Sequence, residues 1–523
     1  MKRISVIILC ALAICACNKG YDSLPIPPQQ EEEMLRSWIA KISSDEFGGR
    51  KPMTPYEEIT TSYLISQLDS LGIRPAFDGS YSQEVQLIST QSTFDGGGIA
   101  FNGKTGRGVL SSPEDFVGWT SRPDSRVDLP STRVVFCGFG IDAPEFSWND
   151  FDGVDVKGKI VLAMVNDPGF YDSSLFQGKN MTYYGRWTYK FEEAAKRGAA
   201  ACLVIHETDA AGYGWNVCAN HVGSNLALYD SSTGNSSRLP MNGWLHKEGC
   251  RKLFSSAGID FDEAVSSAKQ PGFKPIELDL SADIRMDVSH EIRTSLNIGG
   301  ILPGRTIPDE AVVLSGHWDH LGIGTPDESG DTIYNGAADN ASGVAATLLC
   351  AAQCVKLSRR PDRSLLFLFY TSEESGLFGS EHYCDFPAIP MEKTLACINF
   401  ESMAPEPLTH DGVVLGGGNS ILDDYIVRGA QRQGRYVTFN EDNSDGWFFR
   451  SDHFNFVKKG VPAVVIEPGV DLVDPDRPNK YPFDIWYHKP SDEYRPDWDF
   501  EGTLAHVHLM LGVALELASS KMD

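Results

Sequence analysis

The chain has 523 residues, of which 41% are hydrophobic, and its formal net charge is −26. This length allows two or three domains and a large hydrophobic core. The negative charge argues against a nucleic-acid partner, because phosphate binding requires basic patches. A surplus of carboxylates is instead compatible with cation binding.

The first 16 residues are typical of a signal peptide. Two basic residues precede an apolar stretch, Ile4 to Ala16, that is too short to span a bilayer as a mature helix. Its end, "ICAC", resembles a bacterial lipobox with Cys17 as the lipidated first residue of the mature chain; ordinary signal cleavage is the alternative. Residues 17–33 are rich in Pro, Gln and Glu and predict a flexible tether. We therefore expect a lipid-anchored protein of the bacterial cell envelope, in the periplasm or at the outer membrane.

Three regions follow the tether. Residues 34–110 begin with helical patterns around a loop rich in Gly and Pro, "SSDEFGGRKP". Residues 111–284 contain short β-rich runs such as "GKIVLAMVND" and no obvious catalytic cluster, so we interpret them as an inserted domain. Residues 285–523 alternate apolar strands with helices. The sequence predicts an α/β protein with a mostly parallel mixed sheet flanked by helices and a β-rich insertion.

Potential metal ligands follow the apolar strands of the last region. They are His317, Asp319 and His320 in "VVLSGHWDH", Asp339 in "YNGAADNASG", Glu373 and Glu374 in "FYTSEES", Glu401 in "CINFES", and His488 in "DIWYHKPSDEY". Any one of them has a simpler explanation, such as a helix cap at Asp339. Their recurrence at successive elements favours one shared site, since α/β folds place ligands at the carboxyl ends of strands.

These residue types are those that a two-zinc hydrolase needs. Imidazole and carboxylate are zinc ligands, and one carboxylate can bridge two ions. A further carboxylate must stay off the metals to take a proton from water. Of two adjacent glutamates, one can bind a metal while its neighbour faces the water.

The motifs "HWDH", "GAADNASG", "TSEESGLFGS" and "YHKPSDEY" resemble the M28 family of zinc peptidases, which includes bacterial aminopeptidases and glutamate carboxypeptidases. The resemblance covers about residues 35–110 and 285–520. The region between them, with "VVFCGFGI" and "DVKGKIVL", resembles the protease-associated domain often inserted in this family. The resemblance implies a zinc-peptidase fold, two zinc ions per chain and a peptide substrate.

The resemblance also implies a ligand set. His317 and Glu401 would bind one zinc ion, Glu374 and His488 would bind the other, and Asp339 would bridge them. The family pattern usually has Asp at the position of Glu401. The longer side chain can still reach a metal, but it is expected to shift that ion or change its affinity.

Three further residues receive catalytic roles from the resemblance. Glu373 would be the general base, Asp319 would orient His317 from behind, and Tyr487 matches a tyrosine that polarises the scissile carbonyl in some relatives. His320 and His453 lie near the motifs but outside the ligand positions, so neither is included.

The leading hypothesis is an exported aminopeptidase that removes N-terminal residues from peptides. A carboxypeptidase or a glutaminyl-cyclase-like amidohydrolase of the same fold is the first alternative, and Arg450 is then a candidate for binding a substrate carboxylate. A non-catalytic, receptor-like binding module is the second, although such a protein should have lost ligands or the base. The sequence gives no prediction of oligomeric state.

Overall fold

The computed structural model describes residues 24–219, 223–403, 405–415, 420–439, 443–444 and 446–519. The predicted signal peptide, Cys17 and the first part of the predicted tether lie outside these residues.

Helices are spread along the whole described chain. They are α1 (Pro28–Ile42), α2 (Pro55–Ser70), α3 (Trp187–Lys196), α4 (Thr208–Ala211), α5 (Trp215–Ala219), α6 (Lys247–Ala257), α7 (Phe261–Ala268), α8 (Gly343–Val355), α9 (Phe378–Asp385), α10 (Leu422–Arg432), α11 (His453–Lys458), α12 (Phe483–Trp486) and α13 (Glu501–Ser519).

The strands range from two residues to 27. They are β1 (Arg74–Pro75), β2 (Ser82–Phe94), β3 (Gly98–Gly103), β4 (Arg107–Ser111), β5 (Phe116–Trp119), β6 (Arg126–Phe136), β7 (Asp142–Ala143), β8 (Trp148–Asn149), β9 (Ile160–Met164), β10 (Ala201–Ile205), β11 (Ser224–Leu228), β12 (Met241–Leu245), β13 (Ile276–Leu302), β14 (Ile307–His317), β15 (Gly322–Ile323), β16 (Ile333–Tyr334), β17 (Arg363–Tyr370), β18 (Thr394–Asn399), β19 (Gly412–Val414), β20 (Thr438–Phe439), β21 (Ala463–Val464) and β22 (Ile466–Pro468).

The sheet of the C-terminal region has the order β21–β18–β14–β17–β13. β14 pairs in parallel with β17 and β18, and β18 with β21, whereas β13 is antiparallel to β17. Alternate residues of β14 and β17 pack against α8 and α13 on one face and against α9 and α11 on the other. Every residue of β17 is therefore buried, as in a strand covered on both faces. The predicted mostly parallel mixed sheet flanked by helices is confirmed.

The predicted inserted domain, residues 111–284, is called the insert below. It lies around hydrophobic clusters of its own, which draw on residues between Phe94 and Val288. Its strands β6, β9, β10 and β12 are parallel neighbours. The predicted boundary after residue 284 falls inside β13, which pairs with β6, then β2, then β17 along its length. One unbroken strand thus joins the insert to the C-terminal sheet.

The prediction of a flexible tether is wrong for residues 28–33. α1 begins at Pro28, and Glu31 is fully buried, where its carboxylate accepts a hydrogen bond from Gln353 and lies 2.9 Å from His508 Nε2. Pro is favoured in the first turn of a helix and Glu is stabilised there by the helix dipole. The same residue types are frequent in unfolded tethers, so composition alone did not separate the two structures.

The C-terminal helix α13 is long and apolar enough by length and composition to cross a membrane. However, 72% of that stretch is buried inside the protein, where α13 packs against α10, α8 and the strands of the sheet. It is therefore a core helix that closes one face of the sheet.

Candidate metal and catalytic site

The site lies at the carboxyl edge of the parallel strands. β14 ends at His317, Glu373 and Glu374 follow β17, and Glu401 follows β18. These three strands are parallel neighbours, so their carboxyl ends meet at one edge of the sheet. The turn before α8 brings Asp339 to the same edge, and the turn after α12 brings in His488.

Asp339 lies between the two histidines. Its Oδ1 is 3.4 Å from His317 Nε2, and its Oδ2 is 3.4 Å from His488 Nε2. On the far sides, Glu401 Oε1 lies 3.2 Å from His317 Nε2 and Glu374 Oε2 lies 3.0 Å from His488 Nε2. The carboxylate of Asp339 thus faces two His–Glu pairs, which is the arrangement that a bridging ligand requires.

Asp339 does not cap α8. The Gly343 amide, at the start of α8, donates a 3.0 Å hydrogen bond to Oδ1 of the neighbouring Asn340 instead. Asn340 also accepts from the Ser402 amide and donates to the Phe400 carbonyl, at 3.1 and 2.9 Å. Asn340 therefore ties the Asp339 turn to the backbone on either side of Glu401.

The two adjacent glutamates occupy different environments. Glu373 Oε2 is 3.9 Å from His317 Nε2, and burial raises the pKa of Glu373 well above its ordinary value. Burial and the charge of Asp339 both raise the pKa of Glu374. The charge of His320 and hydrogen bonds from His320 and His488 outweigh them and lower this pKa to about 2. Two carboxylates with opposite shifts are suited to different tasks, one to proton transfer and one to ligation.

Asp319 is fully buried behind His317. Its Oδ1 lies 3.6 Å from His317 Nδ1 and accepts a 3.0 Å hydrogen bond from the Glu373 amide. The same aspartate therefore contacts a predicted ligand and the backbone of the predicted base.

His320, which sequence reasoning left out, belongs to the site. It is 1% exposed, and its Nδ1 lies 2.5 Å from Glu374 Oε1, opposite the oxygen that faces His488. Ligand atoms of His320, Asp339 and Glu374 all lie within 4.8 Å of one another, as do those of His317, Glu373 and Glu401. The sequence feature that could have identified His320 is its position as the second histidine of the "HWDH" motif.

Tyr487 and Arg450 line the cavity over the site, whereas His453 does not. The Tyr487 ring stacks on His488 with centroids 3.9 Å apart, and burial raises the pKa of Tyr487 above its ordinary value. Arg450 lies over the Trp447 ring, 5.3 Å from its centroid. His453 is fully buried against Phe448.

Arg50 is a second contributor that sequence reasoning missed. Its guanidinium is fully buried and donates hydrogen bonds to the backbone carbonyls of Trp318, Asn335 and Gly336, at 2.8, 2.6 and 2.8 Å. Burial lowers the pKa of Arg50 to about 10. Because Trp318 follows His317 and Gly336 precedes Asp339, one side chain from the N-terminal loop fixes two ligand-bearing turns.

Asp492 holds the Asp339 turn from the other direction. Its two carboxylate oxygens accept hydrogen bonds from the amides of Ala338 and Asp339, at 2.8 and 3.0 Å. Asp492 belongs to the "YHKPSDEY" segment that also carries His488, so it links the turn to the segment of the second histidine.

The residues present fit a pair of zinc ions. The ligand atoms are imidazole nitrogens and carboxylate oxygens, which are zinc ligands. Burial opposes protonation of His317, yet Glu401 and Glu373 raise the pKa of His317 well above its ordinary value. So dense a set of buried carboxylates calls for compensating positive charge, and divalent cations would supply it. The structure brings all eight predicted site residues together; their roles stay predictions.

A cavity of about 730 Å³ opens over this edge. Its floor includes Asp339, Glu373, Glu374, Glu401 and His488. The insert contributes part of its wall, so residues from both regions of the chain enclose the same space.

The sheet, with a histidine–carboxylate cluster at its carboxyl edge, is typical of α/β metallopeptidase folds. Residues 297–512 match the model of peptidase family M28. The structure is similar to that of an aminopeptidase from Aneurinibacillus sp. strain AM-1, with a TM-score of 0.50, 19% identity and 94% of each chain covered. At this identity the likeness shows a shared fold.

Two curated relatives match parts of the chain. Aminopeptidase NAALADL1 of Mus musculus is 33% identical over 139 residues, which are 25% of this chain and 17% of that protein. Carboxypeptidase Q of Xenopus laevis is 28% identical over 232 residues, 44% of this chain and 39% of that protein. The matched segments thus span less than half the length of these relatives.

Proposed function

We propose that the protein is an exported, zinc-dependent exopeptidase with two zinc ions per chain, and that it acts as an aminopeptidase. The observation that carries the proposal is the position of Asp339, whose two oxygens lie 3.4 Å from His317 and His488. This arrangement supports two ions that share one bridging carboxylate.

In this proposal His317 and Glu401 would hold one ion, Glu374 and His488 would hold the other, and Asp339 would be the ligand that the two sites share. Bound zinc supplies Lewis-acid polarisation of a carbonyl and lowers the pKa of a water molecule.

Glu373 then takes the proton from the attacking water, because it lines the cavity beside His317 and burial raises its pKa. Asp319 holds the ring of His317 through its backbone carbonyl, 3.1 Å from Nδ1, and holds the position of the base through the Glu373 amide. In this proposal Tyr487, which packs on His488 and lines the cavity, donates a hydrogen bond to the substrate carbonyl.

A carboxypeptidase is the second candidate, since Arg450 and Arg186 both line the cavity. Guanidinium groups are suited to binding carboxylates. Relatives named for each activity are among the similar proteins.

The test is a panel assay on the zinc-loaded protein. Peptides with a free amine and a blocked carboxyl end, and peptides with the reverse protection, are compared with aminoacyl amides. Hydrolysis that requires the free amine supports the aminopeptidase, and hydrolysis that requires the free carboxylate supports the carboxypeptidase. Failure to cleave any of them supports a non-catalytic binding module.

The proposed location is the bacterial cell envelope, with the chain anchored through a lipidated Cys17. The support is the "ICAC" sequence after a short apolar segment. Cys17→Ser should release the protein from the membrane fraction, as followed by fractionation and immunoblotting. A Cys17→Ser protein that remains with the membranes would contradict the lipid anchor.

A further inference from the structure

The insert contacts the C-terminal region, residues 285–523, at two places described here. At the first, Ala227 of β11 packs in one hydrophobic cluster with Phe378. Phe378 begins α9, only four residues after Glu374. The insert is therefore anchored beside the segment that carries the two glutamates.

The second contact joins the segment before α3 to the loop before α11. The Met181 amide donates a 3.0 Å hydrogen bond to the Asn443 carbonyl, and the Asn443 amide donates a 2.8 Å hydrogen bond to Asn180 Oδ1. The Tyr183 ring packs against Phe454 with centroids 5.1 Å apart. Both backbone and aromatic contacts hold the insert at this side.

Residues of both contacts line the cavity of about 730 Å³: Ala227 and Phe378 from the first, and Tyr183 and Phe454 from the second. Besides Tyr183, three aromatic residues of the insert, Trp119, Trp187 and Phe191, line the cavity, and we call these three the roof. They pack edge to face, with Phe191 5.8 Å from Trp119 and 5.6 Å from Trp187. The roof is thus a packed aromatic surface that belongs to a separate core from the metal ligands.

The size of the cavity bears on the length of a substrate. Pockets of roughly 300–1,000 Å³ enclose small-molecule ligands, whereas each extended residue adds about 3.3–3.6 Å to a peptide. A peptide of only a few residues fits beneath the roof. A longer peptide must extend out of the cavity, between the insert and the segments that contact it near α9 and α11.

We infer that the insert limits the substrate to short peptides, with the roof contacting the residues beyond the scissile bond. The inference rests on the proposed exopeptidase function and adds a substrate class to it. Aromatic surface favours apolar side chains at these positions.

The first experiment measures kcat/KM for a series of peptides that share an N-terminal leucine and carry one to seven alanines. We expect kcat/KM to fall by at least ~10-fold between the tripeptide and the octapeptide, which is the order of discrimination that pocket contacts provide. The length ratio is kcat/KM for the tripeptide divided by kcat/KM for the octapeptide. Phe191→Ala enlarges the space beneath the roof and should reduce the length ratio.

Phe146→Ala is the matched control. Phe146 is also a half-buried phenylalanine of the insert, but it packs on Phe176 and does not line the cavity. The length ratio of this variant should equal that of the unmodified protein.

A second measurement separates the inference from the proposed function. The dissociation constants of the same peptides are measured by calorimetry on zinc-loaded Glu373→Gln, in which binding does not lead to turnover. Hydrolysis and binding that are both independent of length would overturn the inference and leave the exopeptidase standing. Length-dependent binding without any hydrolysis by the unmodified protein would support the roof and overturn the exopeptidase. Absence of binding at every length would overturn both.

Discussion

At the residue scale, Glu373 and Glu374 are neighbours in sequence but have different partners. Glu374 is held by His320 and His488 through separate oxygens. Glu373 faces His317 at 3.9 Å, outside hydrogen-bond distance, and its backbone is fixed by Asp319. The side chain of Glu374 is held by two histidines, whereas that of Glu373 has no hydrogen bond to His317 and lines the cavity.

Glu373→Gln should lower kcat by at least ~10²-fold, the lower range for loss of a general base. The amide keeps the size of the carboxylate but accepts no proton, so zinc content should change little. Glu374→Gln weakens a ligand and should lower zinc content together with activity. Peptide turnover and metal analysis on both variants provide the measurement.

The two roles are reversed if Glu373→Gln loses zinc while Glu374→Gln retains it. Unchanged turnover in both variants would place the catalytic groups elsewhere in the chain.

A second prediction concerns Glu401, one of the predicted ligands. Its Oε2 accepts a 2.8 Å hydrogen bond from Ser451, whose Oγ accepts in turn from Asn399 Nδ2 at 2.8 Å. Ser451→Ala removes this support for a ligand, so the weaker of two zinc sites should lose ~10-fold or more in affinity. Zinc titration by calorimetry measures the change.

Ser402→Ala serves as the control, because the Ser402 hydroxyl lies farther from Glu401, at 3.4 Å. Equal zinc affinities for the Ser451→Ala variant and this control would show that the Ser451 contact does not support the ligand.

At the element scale, the ligand-bearing turns depend on side chains from distant segments. The loop between α1 and α2 supplies Arg50, and the segment after α12 supplies Asp492. A turn held by hydrogen bonds on both sides keeps its side chain in one position. Such pre-organisation is what a metal site requires of its surroundings.

Arg50→Met should weaken zinc binding and lower the melting temperature, since it leaves the carbonyls of Trp318, Asn335 and Gly336 buried without their donor. Each lost partner costs about 1–3 kcal/mol. Arg50→Lys keeps the charge but not the planar group of donors. We therefore expect its zinc affinity and melting temperature to lie between those of Arg50→Met and the unmodified protein. The readouts are zinc affinity by chelator competition and melting temperature with and without zinc.

Arg36→Met is the matched control, because Arg36 also donates to backbone carbonyls, those of Pro496 and Trp498, away from the site. Zinc affinities that fall equally in the Arg50→Met and Arg36→Met variants would indicate general destabilisation instead of a positioning role for Arg50.

At the scale of the whole molecule, the predicted ligands join distant parts of the chain. His317 lies 171 positions before His488 in the numbering, and both face Asp339. Ions that bind such a set stabilise the folded state over the unfolded chain, in which the ligands are dispersed.

Zinc should therefore raise the melting temperature of the apo-protein, and a chelator should reverse the rise. At 100 times the dissociation constant, the gain in unfolding free energy is about 2.7 kcal/mol per site. Magnesium at the same concentration is the control, since it prefers an octahedral set of oxygen ligands. An apo-protein whose melting temperature does not respond to zinc would contradict the metal site.

The sequence by itself determined the α/β class and the set of predicted ligands. Strands such as Leu365 to Tyr370 can be recognised in the sequence as continuous apolar runs, because a strand buried on both faces has no position for a polar side chain. His317, Glu373 and Glu401 could be found because they follow such strands directly. Local pattern and strand order were sufficient for these features.

Only the tertiary structure decided which neighbours complete the site. Arg50 and Asp492 act through backbone groups of remote turns, and such contacts leave no periodic pattern in the sequence. The same holds for the buried Glu31, whose partners Gln353 and His508 lie more than 300 positions away. The roof could not be predicted either, because Trp187 and Phe191 lie over the cavity only through the docking of the insert on the C-terminal domain. Long-range contacts depend on how whole elements pack, and a single local segment carries no information about its distant partner.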